Sequence, residues 1–496
     1  MDGVKAIRPF NGPVRFNAIP GCPNGRWPQS GPVQITNLNP DHDIGASAWL
    51  VEFDGHRILL DAGVHPRRDG LAGLPLYSKA GPGEVEAVVI SHCHHDHVGS
   101  LPVALRHFPH ANVLMTDLSY FLVERVLHNS VNVMKRQREE LGLREYPLYS
   151  HEEVDDLAPV FQGLPYNREH AWVNFPKGRR GVSPTLEFYD AGHTLGAAGV
   201  MLRGGHETLF YSGDVSFHDQ TLLRGARFEE VTADVLILET TRGARGAIPG
   251  VTRETELERM VVAMEEVFAN RGNVLIPSFA LGRTQEILAQ LALWMKTGRL
   301  KPRPVHIGGL GRVFTEIYDL QAHRTNRSHS QLRLTEALNL VVLNPREIAS
   351  GRLGAGRLFV MTAGMMSENT GAHDLALRMM GDPKQAVFFV GYADPDSPAG
   401  RLRAAKDGET FLFSASGGEA TRHCRVEEFD LTAHAQREDL LEFVGRVNPR
   451  TVVLGHGDAP ARAWFAQQIQ ARWPRMTVLQ PGPAETVTPT STARRD

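Results

Sequence analysis

Between residues 91 and 100 the chain reads SHCHHDHVGS, which places four histidines and an aspartate within seven positions. Imidazole nitrogens and carboxylate oxygens are good ligands for zinc and similar cations. Alternate positions of an extended turn can aim one pair, His92 and His94, at one ion and the next pair, Asp96 and His97, at another. His95 is expected to face away. Ions held this way supply hydrolytic chemistry, because they acidify water and neutralise a reacting anion. Two ions need more than four protein ligands. Three further residues of the right type follow apolar runs and stand beside glycine: His193 in DAGHTLGAAG, Asp214 in FYSGDVS and His456 in VVLGHGD.

These residues need elements to position them. The runs SAWLVEF, HRILLDAG and VEAVVISH, and later TLEFYDAGH and TLFYSGDVS, read as short buried strands that end in polar groups. From about residue 243 the rhythm changes. Leu257, Met260, Val261, Met264, Val267 and Phe268 recur at three- and four-residue spacing, which predicts an amphipathic helix ending near Gly272. NVLIP, PVHIGG, RLFVMTAG and AVFFVGY then alternate with helical segments such as QEILAQLALWM, the pattern of a parallel sheet with helices on both faces. The last third returns to the earlier style with RTVVLGHGD, so the second α/β unit reads as an insertion and not as a tandem domain.

Length and composition bound what such a protein can be. With 496 residues, 42% hydrophobic and 22% charged, the chain has room for two or three domains with ample core. No apolar run approaches the roughly 20 residues that span a bilayer. The opening MDGVKAIRPFNG has no apolar core with a cleavage site, and Cys22, Cys93 and Cys424 cannot all pair, so a reducing cytoplasmic location is expected. A net charge of −3 offers no general attraction to a polyanion. Nucleic-acid contact would come from local patches such as Lys177, Arg179 and Arg180, or Arg324, Arg327 and Arg333.

Asp61 in LLDAG, the turn from His92 to His97, His193 and Asp214 appear in the order and context of the leading motifs of the metallo-β-lactamase superfamily, which the chain resembles. The resemblance implies an αββα sandwich with two zinc ions, or manganese, at the edge between its sheets. It places His92, His94 and His193 on one ion, Asp96, His97 and His456 on the other, and Asp214 between them, with Asp61 orienting the ligand turn. Further on, LILETTRG with Glu239, PSFALGRTQEIL, TAHAQ with His434 and VVLGHGD look like the β-CASP nucleases. The fold class expected is thus α/β, a metallo-β-lactamase sandwich with an inserted β-CASP domain. The lactamase-like parts would run over 1–242 and 429–480, the insertion over 243–428, and a disordered tail over 481–496.

In that family a histidine at the position of His456 goes with RNA processing, which implies single-stranded RNA as partner, in a relative of the cleavage and polyadenylation nuclease that can form homodimers. By the same resemblance Asp96 and Asp214 serve catalysis through the metals. His434 is expected to donate a proton to the leaving oxygen, with Glu239 holding its imidazole. Ser278 and Arg283 are expected to receive substrate phosphate, since Arg283 opens a helix whose amides attract anions. Three positions depart from the family pattern: Arg242 stands where an aromatic is common, Gln436 replaces an acid, and TAGM at 362–365 replaces SPGM. The same metal site on other chains serves thioesterases, lactamases, DNA nucleases and scaffold subunits without activity, so fold alone does not choose among them.

Overall fold

The computed structural model describes residues 32–80, 85–171, 184–205, 207–343 and 353–489. Two seven-stranded sheets face each other. The first runs Thr486–Val487, Gln34–Asn37, Trp49–Phe53, His56–Leu60, Ala87–Val89, Asn112–Thr116, Phe161–Leu164. The second runs Thr477–Leu479, Thr451–Gly455, Val235–Glu239, Thr208–Tyr211, Ala198–Arg203, Thr185–Asp190, His170–Ala171.

Alternation of side chains explains why these sheets stack. Trp49, Val51 and Phe53 point inward to meet Val200, Leu202, Leu209 and Tyr211 of the second sheet. Their neighbours Leu50 and Met201 point outward to helices. On the first sheet the outer layer includes Asp117–Leu141, which buries Leu122, Leu127 and Val131. On the second it includes Arg437–Val447 and Ala459–Arg472, through Leu440, Val444, Phe465 and Ile469. The result is the αββα sandwich the sequence led us to expect.

The third sheet lies between these parts of the chain. Its six strands run in the order Leu340–Val342, Val305–Ile307, Leu358–Met361, Val274–Pro277, Ala386–Phe389, Arg425–Glu428, and every pairing is parallel. The predicted helix is found as Arg253–Ala269, opened by the Thr252 hydroxyl accepting from the Thr255 amide. One face of this sheet is covered by helices including Arg253–Ala269 and Arg283–Lys296, and their core is continuous with the outer layer of the first sandwich sheet. Leu195 and Leu222, from the sandwich, and Leu281, from the inserted unit, share it.

One expectation fails. Residues 481–489 are not a disordered tail: Thr486 and Val487 pair with Thr36 and Ile35, and Asn37 exchanges backbone bonds with Glu485 and Ala484. A short polar edge strand carries no hydrophobic alternation, so its sequence looks like tail; residues 490–496 lie outside the described residues. The patch Arg324, Arg327 and Arg333 is divided, with Arg324 exposed, Arg333 half-buried and Arg327 buried. Arg324 pairs with Asp117, Arg327 is buried and donates to the Tyr318 and Leu332 carbonyls, and Arg333 donates to the Ser330 and Leu332 carbonyls. Lys177, Arg179 and Arg180 lie outside the described residues.

Phe188 is fully buried between the two sandwich sheets. Phe188→Ala is expected to lower unfolding stability by about 3–5 kcal/mol. A urea titration checks this, and a loss below about 1 kcal/mol would contradict the packing described.

Candidate metal centre

The site forms along one edge of the sandwich, where strands from both sheets end. Asp61 follows His56–Leu60, His92 follows Ala87–Val89 and Asp214 follows Thr208–Tyr211. Glu239 is the last residue of Val235–Glu239, and the register sets it beside Gly455, one residue before His456. His193 follows Thr185–Asp190. The ligand turn is pinned from below by backbone bonds from Ser47, Ala62 and Val64 to the carbonyls of Asp96, His97 and His95. A side chain at residue 63 would put its Cβ 1.7 Å from the Asp96 carbonyl oxygen, so only glycine permits this approach.

Five imidazoles meet here, and their hydrogen bonds decide which nitrogen of each is bare. A carbonyl only accepts, so His94 donates from Nε2 to the Leu281 carbonyl (3.3 Å) and His193 from Nδ1 to the Ala433 carbonyl (2.9 Å). His97 donates from Nδ1 to Asp61 Oδ2 at 2.7 Å. Ser91 gives its hydroxyl proton to Asp61, so the 3.1 Å contact with His92 is a bond donated by His92 Nδ1. Thr241 likewise gives its proton to the His456 carbonyl and accepts from His456 Nδ1 at 3.1 Å.

The bare nitrogens therefore converge. His94 Nδ1 and His193 Nε2 face each other at 3.1 Å, and His97 Nε2 and His456 Nε2 at 3.2 Å. His92 Nε2 is buried without a hydrogen-bond partner, as is Asp214 Oδ1. Nitrogens this close repel unless a proton or a cation lies between them, and His456 Nε2 also stands 3.3 Å from Asp96 Oδ2. Two nitrogens each about 2.0–2.1 Å from a tetrahedral ion stand roughly 3.3 Å apart, so the spacing fits a shared metal. The donors fall into two groups, His92, His94, His193 and Asp214, then Asp96, His97 and His456, with the ligand atoms of each within 4.8 Å of one another. Asp214 reaches both: Oδ2 is 3.6 Å from His92 and 3.4 Å from His97, and Oδ1 is 3.1 Å from His456.

The electrostatics agree. Burial disfavours charge on every imidazole and drives His92 and His193 well below the ordinary histidine value. At His456 burial is outweighed by Asp214 and Asp96, and the imidazole is pushed up to about 10. His97 is raised for the same reason, by Asp214, Asp96 and Asp61. A potential that holds protons on buried imidazoles is one that attracts divalent cations.

Asp61 is fully buried and its carboxylate is saturated. It accepts from the Ser91 amide, the Ser91 hydroxyl, His97 and the Tyr211 hydroxyl, each at 2.7 Å. His95 turns away to Ser130, at 2.8 Å. His434 stands beside two carboxylates, with Nδ1 3.4 Å from Glu239 Oε2 and 4.0 Å from Asp214 Oδ2. Glu239 uses its other oxygen to accept from the Val215 amide at 2.7 Å. Ser278 is buried against Thr284 (2.8 Å), and Arg283 is buried nearby.

Several contributors left no readable signal in the sequence. The Leu281 and Ala433 carbonyls are backbone groups. Ser91 and Tyr211 sit next to motif residues but have no spacing that marks them. A further group of suitable types, Asp41, Asp43 and His65, was also unforeseen; there Arg67 pairs with Asp43 and Arg68 with Asp41, so arginines occupy the place of a cation. Two of the departures from the family pattern can be placed. Arg242 forms a two-pronged ion pair with Asp430 (2.8 and 2.7 Å), joining the chain where it leaves the sandwich to the chain where it returns. Gln436 precedes the helix Arg437–Val447 and leaves its side-chain oxygen buried and unpartnered.

A two-sheet sandwich with histidine and aspartate turns at one edge is the architecture that the resemblance to the metallo-β-lactamase superfamily implies. Residues 43–255 match the model of the metallo-β-lactamase superfamily, and residues 419–475 match the Zn-dependent metallo-hydrolase RNA specificity domain. The chain is 27% identical over 442 residues to endoribonuclease YSH1 of Candida glabrata, covering 87% of this chain and 55% of that protein. It is 26% identical over 465 residues to cleavage and polyadenylation specificity factor subunit 3 of Dictyostelium discoideum, covering 92% and 57%. The chain spans a little over half the length of these relatives. Among solved structures, a protein of unknown function from Enterococcus faecalis V583 shares the fold, with TM-score 0.56 and 15% identity, covering 92% of this chain and all of that one. Residues 43–255 thus carry the metallo-β-lactamase superfamily domain, and the two matched domains together with these relatives support a β-CASP member of it. Membership implies divalent metal binding, and the donor set fits it.

Ser91 ties Asp61 and His92 together, so Ser91→Ala is expected to weaken metal affinity by roughly 10- to 100-fold. Competition with a chromogenic chelator measures this, and wild-type affinity would remove Ser91 from the anchoring network.

Proposed function

We propose that the chain is a metal-dependent ribonuclease that hydrolyses phosphodiester bonds of single-stranded RNA. The observation that carries this reading is the convergence of bare imidazole nitrogens on two adjacent points that share Asp214. The match of residues 419–475 to an RNA specificity domain, and relatives named endoribonucleases, favour RNA over other phosphodiesters. In this proposal the division into 1–242, 243–428 and 429–480 stands, two zinc ions are the working metals and the setting is cytoplasmic. Among the described residues, no helix is long and apolar enough to cross a membrane.

His92, His94 and His193 would hold one ion, Asp96, His97 and His456 the other, and Asp214 both. Bound there, divalent ions supply an acidified water and neutralise charge on the phosphate. The remaining work falls to the chain itself. Asp61, Ser91, Leu281 and Ala433 keep each ligand in the tautomer that leaves the required nitrogen bare. His434 is assigned the proton that the leaving oxygen needs. Burial opposes its charged form, yet Glu239 and Asp214 hold its pKa above the ordinary histidine value, which favours the protonated imidazole a donor needs.

Asp96→Ala is expected to abolish cleavage of labelled single-stranded RNA, and persistence of the same product ladder in that variant would refute metal catalysis here. His434→Ala should slow turnover by roughly 10²- to 10⁴-fold with metal content unchanged. The protonated imidazole is lost as pH rises through its raised pKa, so activity should fall on the alkaline side. Glu239→Gln removes the charge that raises that pKa and should move the alkaline limb to lower pH. A limb that stays in place would separate Glu239 from the proton donor.

A further inference from the structure

The two groups of ligands are held by different parts of the chain. His97 and His456 donate to Asp61 and Thr241, and the turn that carries Asp96 and His97 is pinned by the amides of Ser47, Ala62 and Val64, all within the sandwich. In the other group only His92 has a sandwich anchor, Ser91. His94 donates to the Leu281 carbonyl of the inserted unit, and His193 stands on a turn that the inserted unit holds at two further points.

The first of these is direct. Tyr318, fully buried in the helix Gly309–Leu320, accepts through its hydroxyl oxygen from the Leu195 amide at 3.0 Å. The second passes through the sandwich loop that follows Asp214. Gln220 on that loop is buried, and its Nε2 donates to the carbonyls of Gly192 and His193 at 2.8 and 3.0 Å. The carboxamide cannot be reversed, because its oxygen would then face two carbonyls. The loop also closes over Gly192, where a Cβ would lie 2.6 Å from the Ala226 amide nitrogen.

Two residues beyond Gln220, the amides of Leu222 and Leu223 donate to the two carboxylate oxygens of Glu286 at 2.7 and 2.9 Å. Glu286 belongs to the helix Arg283–Lys296 of the inserted unit and is only 1% exposed. A carboxylate so far from water is costly unless its oxygens are hydrogen-bonded, and these two amides use both of them. Backbone bonds from Ser328 to the Leu222 carbonyl (3.0 Å) and from Arg224 to the Asn326 carbonyl (3.1 Å) tie the same loop to the inserted unit.

We propose that Tyr318 and Glu286 are positioning residues for His193, Glu286 acting through the loop of Gln220, so that the inserted unit builds the position of one ion while the sandwich alone builds the other. The proposal rests on the two-ion reading above. It is tested by titrating metal-depleted full-length protein with Co²⁺ against a competing chelator, since the visible absorption of Co²⁺ reports the ligands around each ion. Wild-type protein should take up two equivalents. Tyr318→Phe and Glu286→Gln, both close in shape to the native side chains, should each weaken one equivalent by roughly 10- to 100-fold and leave the other unchanged. Thr241→Val, which removes the acceptor of His456, should weaken the opposite one. In a His193→Ala background Tyr318→Phe should add no further loss, because the ligand it positions is gone. Equal weakening of both equivalents, or wild-type affinity for both in Tyr318→Phe and Glu286→Gln, overturns the positioning role. Uptake of fewer than two equivalents by the wild-type protein overturns the two-ion reading with it, whereas two equivalents bound without cleavage of RNA removes the ribonuclease reading alone.

Discussion

An imidazole has two nitrogens, and a metal can use one only if its proton sits on the other. In a pocket that gathers five histidines out of water, each ring must therefore find an acceptor on its far side. Asp61, Ser91, Thr241 and the carbonyls of Leu281 and Ala433 meet that need. They come from strand ends in both sheets, from the inserted unit and from the segment that leads back out of it. The pocket exists only where all of these meet, so the sandwich, the insertion and the return of the chain are jointly required by proton placement on a few rings.

Much of this arrangement can be read from residue types and spacing. Short apolar runs ending in histidine or aspartate mark strand ends, and helical periodicity from Leu257 to Phe268 marks the change of architecture. His92, His94, Asp96, His97, His193, Asp214 and His456 come together because they terminate strands on one edge, and strand termini are legible. What holds them is less so. A carbonyl oxygen has no residue type, so the roles of Leu281 and Ala433 could not be seen, and Ser91 reads as a linker residue until its two bonds are traced. The strand Thr486–Val487 was missed because an edge strand can be stabilised by backbone pairing alone, without the alternation that betrays a buried one.

The departures from the family pattern separate along the same line. Arg242 cannot stack as an aromatic would, yet its planar fork matches Asp430 and ties together the two passages between the units. That substitution exchanges one means of holding the junction for another. Gln436 makes no comparable bond, and nothing in its surroundings explains the loss of the acid.

The bond from His94 to the Leu281 carbonyl crosses from one structural unit to the other at an atom that bears on metal affinity. Separation of the units would free that ring to move its proton to the nitrogen the metal needs. Thermodynamic linkage then works in both directions: whatever draws the units together strengthens the hold on the metal, and a bound metal resists their parting by the same free energy. The packing of the inserted unit against the sandwich and the tautomer of a metal ligand thus meet in one hydrogen bond.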